Sequence, residues 1–322
     1  MRAVGFDVIG GPEVLRPVEL PIPEPGPGQV LIRVAYAGVN YGEVQHRLGD
    51  FGAPDGITVP GFEVSGEVAG FGPGVRGLSV GDPVAAYLPD GGGYAEYAVA
   101  PADFAFPLDG ISLRDGGGVA LVLTTAYGVL AGAARLAAGD TVLIHAAAGG
   151  VGSAAAQIAR ALGAAAVYGT VGSPAKAEYA KRFGYDSVHL RDSFADQLPE
   201  VDVILDPIGG PTRLASLPLL APFGRLAVYG EAARHPDLSL PVLPLWKNNR
   251  SLAGYNISDL ARRAPTTVRS HALAALSLLA SGAIRPDITT ELPLTAAPEA
   301  HATLTAGRNT GKTLLQTTPR AV

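Results

Sequence analysis

The chain has 322 residues, of which 48% are hydrophobic and 16% are charged, and its formal net charge is −5. This length exceeds what one ordinary hydrophobic core accommodates, so we expect two domains. No basic block occurs, which argues against nucleic acid as the main partner. Because the sequence contains no cysteine, disulfides, thiolate zinc sites and a cysteine nucleophile are excluded.

The hydropathy pattern predicts neither a secretory signal nor a membrane span. The first residues, MRAVGFDVIGG, contain no apolar run of the length that a signal peptide needs. The most apolar later run, Ala272 to Ala280, is too short to cross a bilayer and is typical of a packed amphipathic helix. We therefore expect a cytoplasmic protein with no membrane partner.

Residues 1–118 have the pattern of a β-rich domain. Glycine and proline punctuate short alternating strands, such as Gln29–Ala37, Glu63–Phe71 and Asp82–Tyr87. Residues 260–322 are assigned to the same domain. They predict a long helix from Pro265, a strand near Ile288–Glu291, a short helix and a final strand at 313–316.

Residues 119–259 alternate between helix and strand, which predicts a parallel sheet with helices on both faces. The fold class is therefore α/β, with a doubly wound sheet in this second domain. Ligands of such sheets bind at the carboxyl ends of the strands. The predicted strands are Thr141–His145, Ala165–Gly169, Ser187–Leu190, Val201–Asp206, Arg225–Tyr229 and Ser251–Gly254.

The segment TVLIHAAAGGVGSAAAQIARALG, from Thr141 to Gly163, carries the strongest functional signal. A buried strand leads into a turn of small residues and then into an alanine-rich helix, as at the start of a dinucleotide-binding βαβ unit. A small turn lets the backbone approach a pyrophosphate, and the helix start offers free N–H groups. Ala replaces the first glycine of the usual fingerprint. The predicted binding residues of the turn are Ala147, Gly149, Gly150, Val151 and Gly152.

The end of the second strand indicates which dinucleotide is bound. An NAD site usually places a carboxylate there, about 20 residues past the first motif position, whereas this sequence has Gly172, Ser173 and Lys176, with no carboxylate before Glu178. A hydroxyl and a cation suit a 2′-phosphate. We therefore predict NADP(H), with Arg191 as a second cation. The alternative is that Lys176 is simply solvated and the site accepts either coenzyme.

Several motifs in the same order make the chain resemble the zinc-independent quinone oxidoreductases of the medium-chain dehydrogenase/reductase superfamily. The resemblance covers nearly the whole length. Its motifs are GVNY (38–41), PGFEVSG (60–66), GGYAEY (92–97), LTTAY (123–127), the AAGGVG turn (147–152) and GRNTGK (307–312).

The resemblance implies a GroES-like β-rich catalytic domain beside a Rossmann domain, NADPH-dependent reduction and, commonly, a homodimer. In the zinc enzymes of the superfamily, a cysteine lies near the position of Asn40 and a histidine at that of Phe62. This sequence lacks both ligands, so no metal site is expected. Without a Lewis acid, the expected substrates are small conjugated carbonyl compounds, such as quinones or activated alkenes, whose oxygen delocalises the charge that arrives with hydride.

Asn40, Tyr41 and Thr124 are the candidate catalytic residues, with positioning roles and no certain acid or base. Asn40 either hydrogen-bonds a ribose or a carbonyl oxygen, or serves as a turn residue. Tyr41 either donates a proton or lines the substrate cleft, and lining is favoured. Thr124 lies near the nicotinamide by resemblance, and otherwise it and Tyr127 are core residues. His46 is interpreted as structural rather than catalytic.

Three further residues are predicted to contact the cofactor. Gly230, at the end of a strand, would let the nicotinamide pass close to the backbone. Asn309 and Lys312 match the C-terminal motif of the family and either close the site over the cofactor or cap a strand turn. The turn after Asp206 is expected to shape the cofactor floor.

The predicted function is a zinc-free, NADPH-dependent reduction of a quinone or another conjugated carbonyl compound. The alternative on the same fold is an enoyl or alkenal reductase that saturates a C=C bond, and it includes a biosynthetic role. A non-catalytic NADPH-binding protein is the remaining alternative. The sequence does not distinguish the acceptors.

Overall fold

The computed structural model describes residues 1–235 and 238–317. The chain forms two compact units, one of Met1–Val122 with the described residues from Pro286 onward, and one of Leu123–Arg285. Residues 260–285 therefore lie in the second unit, whereas the sequence placed them in the first domain. The reason is local packing: the Gln157 side chain bonds the backbone N–H and C=O of Arg285 at 3.0 and 3.1 Å.

The first unit is built mainly of strands. Its core is apolar: Val30, Ile32 and Val64 are fully buried within it. In chain order its elements are β1 (Arg2–Gly5), β2 (Arg16–Glu19), β3 (Gln29–Val39), α1 (Tyr41–Arg47), β4 (Glu63–Phe71), β5 (Pro83–Tyr87), β6 (Tyr97–Pro101), β7 (Ala105–Pro107), α2 (Leu113–Gly116), and then, from the C-terminal part, β14 (Ile288–Pro293), α10 (Ala297–Thr305) and β15 (Lys312–Gln316).

A seven-stranded sheet in the order β14-β15-β3-β4-β5-β7, with β6 paired to β3, organises this unit. Its pairs are antiparallel except for β14 with β15. The long strand β3 ends at Val39 and runs directly into α1, while β15 pairs with its last residues, Thr313 opposite Val39. This pairing brings Lys312, the first residue of β15, beside Asn40, which follows β3.

The second unit alternates strands and helices. Its core between sheet and helices includes Leu143, Ile204 and Leu226, all fully buried. In chain order its elements are α3 (Val122–Tyr127, which begins at the last residue of the first unit), β8 (Thr141–His145), α4 (Gly150–Ala161), β9 (Ala166–Val171), α5 (Pro174–Ala180), β10 (Ser187–Leu190), β11 (Val201–Asp206), α6 (Gly210–Ser216), β12 (Leu220–Val228), α7 (Val242–Lys247), β13 (Ser251–Gly254), α8 (Ile257–Arg263) and α9 (Pro265–Ala280).

Six parallel strands in the order β10-β9-β8-β11-β12-β13 form the sheet of this unit. Numbered from β8, this is the 3-2-1-4-5-6 order of a doubly wound dinucleotide-binding sheet, and it confirms the predicted fold class. The strand order reverses between β8 and β11. The loops that follow these two strands are therefore where the sheet offers a binding crevice.

The predicted strands agree closely with the structure, and one differs clearly. The strand predicted from Arg225 begins instead at Leu220, because β12 pairs with β11 in two registers separated by an irregularity. Phe223 lies in this irregular stretch with a φ of +64° and bonds to Asn249 through its backbone N–H at 2.6 Å. Across residues 1–235 and 238–317, none of the helices has both the length and the hydropathy that crossing a bilayer requires.

Candidate functional site

The turn between β8 and α4 is closed by its own backbone. Ala146 adopts a φ of +56°, and its carbonyl accepts the Gly149 N–H at 2.9 Å. A Cβ on Gly152 would overlap the Ala146 carbonyl oxygen and lie 2.9 Å from the Ala147 Cα. Glycine is thus required at position 152 by the turn itself, before any ligand is considered.

The turn presents unpaired backbone donors at the start of a long helix. Gly149 is the N-cap of α4, which has 12 residues, so the amides of Gly150, Val151 and Gly152 begin the helix without intrahelical partners. Together with the positive end of the helix dipole, such amides suit a phosphate. On the other side, the Tyr185 hydroxyl donates to the Gly152 carbonyl at 2.8 Å and fixes the turn from within the unit.

Two cations lie near each other beside this turn. The Arg191 backbone N–H bonds to Val171 at the end of β9, and burial together with the charge of Arg191 lowers the pKa of Lys176. Burial also lowers the pKa of Arg191, although Asp192 opposes this. Within the described residues, the Arg191 Nε is buried without a hydrogen-bond partner. Two neighbouring cations, one with an unsatisfied donor, suit an anionic group.

Ser173 and Gly172 lie where the prediction placed them, at the end of β9. The Ser173 Oγ accepts the Lys176 backbone N–H at 3.4 Å and caps α5, which leaves its hydroxyl proton to donate elsewhere. A Cβ on Gly172 would meet nothing within 4 Å. The structure therefore brings the turn, Ser173, Lys176 and Arg191 together in one unit, and their contacts with a cofactor stay predictions.

Asn40 and Lys312 are held inside the first unit by a buried polar cluster. The Lys312 ammonium pairs with the Glu63 carboxylate and donates to the Asn40 Oδ1 at 2.5 Å and to the Val39 carbonyl at 3.0 Å. The Asn40 Nδ2 donates to both Glu43 and Glu63 at 3.2 Å. These contacts engage both ends of the Asn40 amide and all three ammonium protons. They favour the structural alternatives for both residues over direct contact with a ligand.

Glu43 is the carboxyl group of this cluster that has no direct cation partner among the described residues. Its two oxygens accept the backbone N–H groups of Asn40 and Phe62 at 2.8 and 2.9 Å, and it is fully buried. Burial raises the pKa of Glu43 to about 7, although the charge of Lys312 and the hydrogen bonds oppose the shift. Glu43 was not among the residues predicted from the sequence, although the spacing Asn-x-x-Glu is that of a capping box.

The remaining predicted residues differ in their surroundings. Thr124 is buried in α3, whereas Tyr127 is half-buried and packs against His271 with ring centroids 6.0 Å apart. Tyr41 is the first residue of α1, and Asn309 lies in the loop before β15, both partly exposed. Gly230 follows β12, where a Cβ would lie 2.9 Å from the Pro207 carbonyl oxygen.

His46 lies among aromatic rings. Its ring stacks on Phe62 with centroids 6.0 Å apart and meets the edge of Phe6 at 5.5 Å. Burial lowers the pKa of His46, which keeps the imidazole neutral at pH 7. Phe62 stands at the position where the zinc enzymes carry a metal ligand. Its side chain contributes an apolar ring and no metal-ligating atom. Nowhere in residues 1–235 and 238–317 do three or more His, Asp or Glu side chains come together as a metal site.

A Ser-His pair in the second unit is not a nucleophilic site. The Ser216 hydroxyl donates to the Thr212 carbonyl at 2.7 Å, so at 2.8 Å it can only accept from the His145 Nε2–H. The other ring nitrogen accepts from Thr170 at 2.7 Å. Burial lowers the pKa of His145 to about 4. The imidazole is neutral and engaged at both nitrogens, so it cannot take a proton from Ser216.

Comparison with known proteins identifies the two parts of the chain. Residues 26–110 match the alcohol dehydrogenase GroES-like domain, and residues 150–274 match the family described as zinc-binding dehydrogenase. Mouse quinone oxidoreductase is 33% identical over 98% of this chain and 97% of its own length. The structure of Escherichia coli quinone oxidoreductase complexed with NADPH superposes with a TM-score of 0.90 and 28% identity, over 98% of this chain and 100% of that one.

A second group of relatives is much longer. The polyketide synthase GfsB of Streptomyces halstedii is 36% identical over 91% of this chain, but the match spans only 5% of the synthase. The full-length match to a quinone oxidoreductase and the two domain matches establish the family of this chain. The chain belongs to the zinc-independent quinone oxidoreductase family of the medium-chain dehydrogenase/reductase superfamily.

Proposed function

We propose that the protein is an NADP(H)-dependent oxidoreductase that reduces a conjugated carbonyl compound without a metal ion. The observation that carries the proposal is the Lys176–Arg191 pair, with its unsatisfied Arg191 Nε, beside a turn that has no room for a side chain at position 152. These features fit a 2′-phosphate and a pyrophosphate, respectively. The bound coenzyme would supply the hydride, and a solvent proton would complete the reduced acceptor.

The main role of the chain's own residues would be to bind and orient the coenzyme. In this proposal the amides of Gly150, Val151 and Gly152 hold the pyrophosphate, while Lys176 and Arg191 hold the 2′-phosphate and so favour NADPH over a coenzyme that lacks this group. The buried imidazole of His145 in the second unit is engaged at both nitrogens and is not free to act as a base. Catalysis would then rest on positioning and the exclusion of water rather than on acid–base chemistry.

A second candidate function is reduction of a C=C bond in an enoyl thioester or alkenal. Its support is the 36% identity to a segment of a polyketide synthase. A single experiment separates the two: NADPH oxidation is followed against a simple 1,4-quinone, an enone and an enoyl thioester. Turnover of the quinone supports the first proposal, whereas turnover of the thioester alone supports the second. Tight NADPH binding with no turnover of any acceptor would favour a non-catalytic role and contradict both.

We also propose that the protein is a homodimer through the edge of the six-stranded sheet. β13 is the last strand of that sheet, and Leu252 on it is 40% exposed, while Trp246 on α7 is 73% exposed. An open edge beside exposed apolar side chains suits pairing with a second copy. Sedimentation should give a dimer, and Leu252→Arg should give a monomer, whereas Leu273→Arg, at an equally exposed leucine on α9, should not. A monomeric wild type would contradict this proposal.

A further inference from the structure

The loops after β11 and β12 are joined into one platform at the carboxyl ends of the sheet. Three backbone hydrogen bonds connect them: Tyr229 N–H to Asp206 at 3.1 Å, Ala232 N–H to Pro207 at 3.0 Å and Ala233 N–H to Ile208 at 2.8 Å. No side chain separates the loops, because a Cβ on Gly230 would lie 2.9 Å from the Pro207 carbonyl oxygen. The position of the Gly230 backbone is therefore set by the loop after β11.

One guanidinium spans both loops. The Arg213 Nε donates to the Asp206 Oδ2 at 2.6 Å, its Nη1 to the Glu231 Oε2 at 2.7 Å and its Nη2 to the Gly230 carbonyl at 3.1 Å. Asp206 is fully buried and Arg213 only 7% exposed. Charge-assisted hydrogen bonds from a planar, buried fork fix orientation as well as distance.

Both carboxylate oxygens of Asp206 accept hydrogen bonds in this arrangement. Its Oδ1 accepts the backbone N–H groups of Ile208 and Gly209 at 2.8 and 2.9 Å, while its Oδ2 accepts from Arg213. A carboxylate with both oxygens engaged and a buried cation as partner holds a loop shape and is not available to move protons. The Arg213–Asp206–Glu231 group thus holds the backbone of the loops after β11 and β12 in place.

We propose that Arg213 is a positioning residue for hydride transfer, which fixes the Gly230 backbone at the nicotinamide end of the coenzyme site. This inference rests on the proposed function and names a residue that the sequence analysis did not single out. β11 lies next to β8 in the sheet, so the platform adjoins the glycine turn, and ligands of such sheets lie outside these strand ends. The residues proposed to bind phosphate follow β8, β9 and β10, and the hydrogen bonds that Arg213 donates go to Asp206, Glu231 and Gly230 rather than to them.

The same sheet provides a matched control at its opposite end. Arg225 on β12 pairs with Asp140, which precedes β8, and donates through its Nε to the Ala134 carbonyl at 2.8 Å. This Arg–Asp pair also joins two segments across the sheet, but at the amino ends of the strands, away from the predicted crevice. Arg225→Met should therefore remove a comparable structural contact without disturbing Gly230.

Arg213→Met and Arg225→Met are compared with the full-length wild type in three measurements. Hydrogen exchange of the coenzyme-free protein should be faster at residues 229–233 in Arg213→Met, on the order of tenfold, and unchanged there in Arg225→Met. With a 1,4-quinone as acceptor, kcat should fall roughly 10- to 100-fold in Arg213→Met only. The primary isotope effect of NADPH deuterated at C4 should increase, while the NADPH Kd changes by no more than about threefold.

Equal exchange and equal isotope effects in the two variants would overturn the inference and leave the proposed function intact. If the wild type fails to bind NADPH, the proposed function falls and this inference falls with it. If Arg213→Met does not fold, Glu231→Gln provides the test, because it removes one partly exposed charge from the same group. Glu231→Gln should change the exchange and the isotope effect in the same direction by less, and an unchanged isotope effect would overturn the inference.

Discussion

Substituting Gly152 by alanine separates the two reasons for which this turn needs glycine. An added methyl group would overlap the Ala146 carbonyl oxygen and lie 2.9 Å from the Ala147 Cα. Both obstacles are backbone atoms, so neither can rotate away as a flexible side chain would. The clash therefore has to be relieved by opening the turn or by shifting the start of α4.

The expected change in the free energy of unfolding of Gly152→Ala follows from two opposing effects. Alanine is the better helix former, by about 0.5–1 kcal/mol relative to glycine. Overpacking against rigid atoms costs about 1–3 kcal/mol and occasionally more. Because the obstacles are backbone, we expect the upper end of that range, and a net loss of about 2 kcal/mol. For a unit of this size, that loss lowers the melting temperature by roughly 4–8 °C.

Two other glycines of the same site offer progressively more space for a Cβ than Gly152 does. A Cβ on Gly149 would lie 3.3 Å from the Ala146 carbonyl oxygen, and one on Gly172 would meet nothing within 4 Å. Thermal unfolding without coenzyme should therefore rank the alanine variants 152, 149 and 172 from least to most stable, with the last near wild type. NADPH titration by fluorescence should show a weakened Kd for Gly152→Ala. If Gly152→Ala and Gly172→Ala unfold at the same temperature, the steric reasoning is refuted.

Two further predictions concern charge. Lys176→Ala should weaken NADPH binding roughly tenfold or more, the size of one charge-assisted contact, and leave NADH binding almost unchanged; equal losses for both coenzymes would contradict a phosphate contact. Burial raises the pKa of Glu43 to about 7, so the folded protein holds a proton that the unfolded chain releases near its ordinary pKa of 4.5. The free energy of unfolding should then lose about 3 kcal/mol as the pH rises from 4.5 through 7. Buried His145, whose pKa is lowered, acts in the opposite direction as the pH falls below 6.5, so the measurement is the difference between wild type and Glu43→Gln in denaturant unfolding. A difference that does not vary with pH would exclude the titration of Glu43.

The sequence predicts those parts of the molecule that rest on local patterns. Strands such as Val201–Asp206 and Ser251–Gly254 are found with the predicted bounds, because apolar runs between turn residues determine them. The glycine turn was recognised for the same reason. The compact units divide after Arg285 rather than at residue 260, because packing and not composition decides where the second unit ends. The helices of this stretch join the second unit through packing and through bonds such as that of Gln157 to Arg285.

The polar groups that organise the site were harder to predict because their partners are distant in sequence. Glu63 meets Lys312 only because β15 pairs with the end of β3, and nothing local to either residue indicates this. Arg213 contacts Glu231, 18 residues later, across two loops. Such pairs depend on strand order, which a single sequence reveals only through fold class. Glu43 is the exception, since its capping-box spacing was visible in the sequence.

The polar cluster of the first unit gives a physical reason why a divalent cation would not bind beside Asn40. Asn40 stands near the position at which the zinc enzymes carry a thiolate, and its amide is bonded to Glu43, Glu63 and Lys312. An ammonium ion already lies among the oxygens of this cluster, so a divalent cation would have to displace it and break the Lys312–Glu63 pair. Breaking a buried pair costs about 3–5 kcal/mol, and the sequence has no cysteine whose thiolate could compensate. The positive charge of this cluster is covalently attached to the chain, and it holds the backbone beside Asn40 through the Val39 carbonyl and the Asn40 side chain.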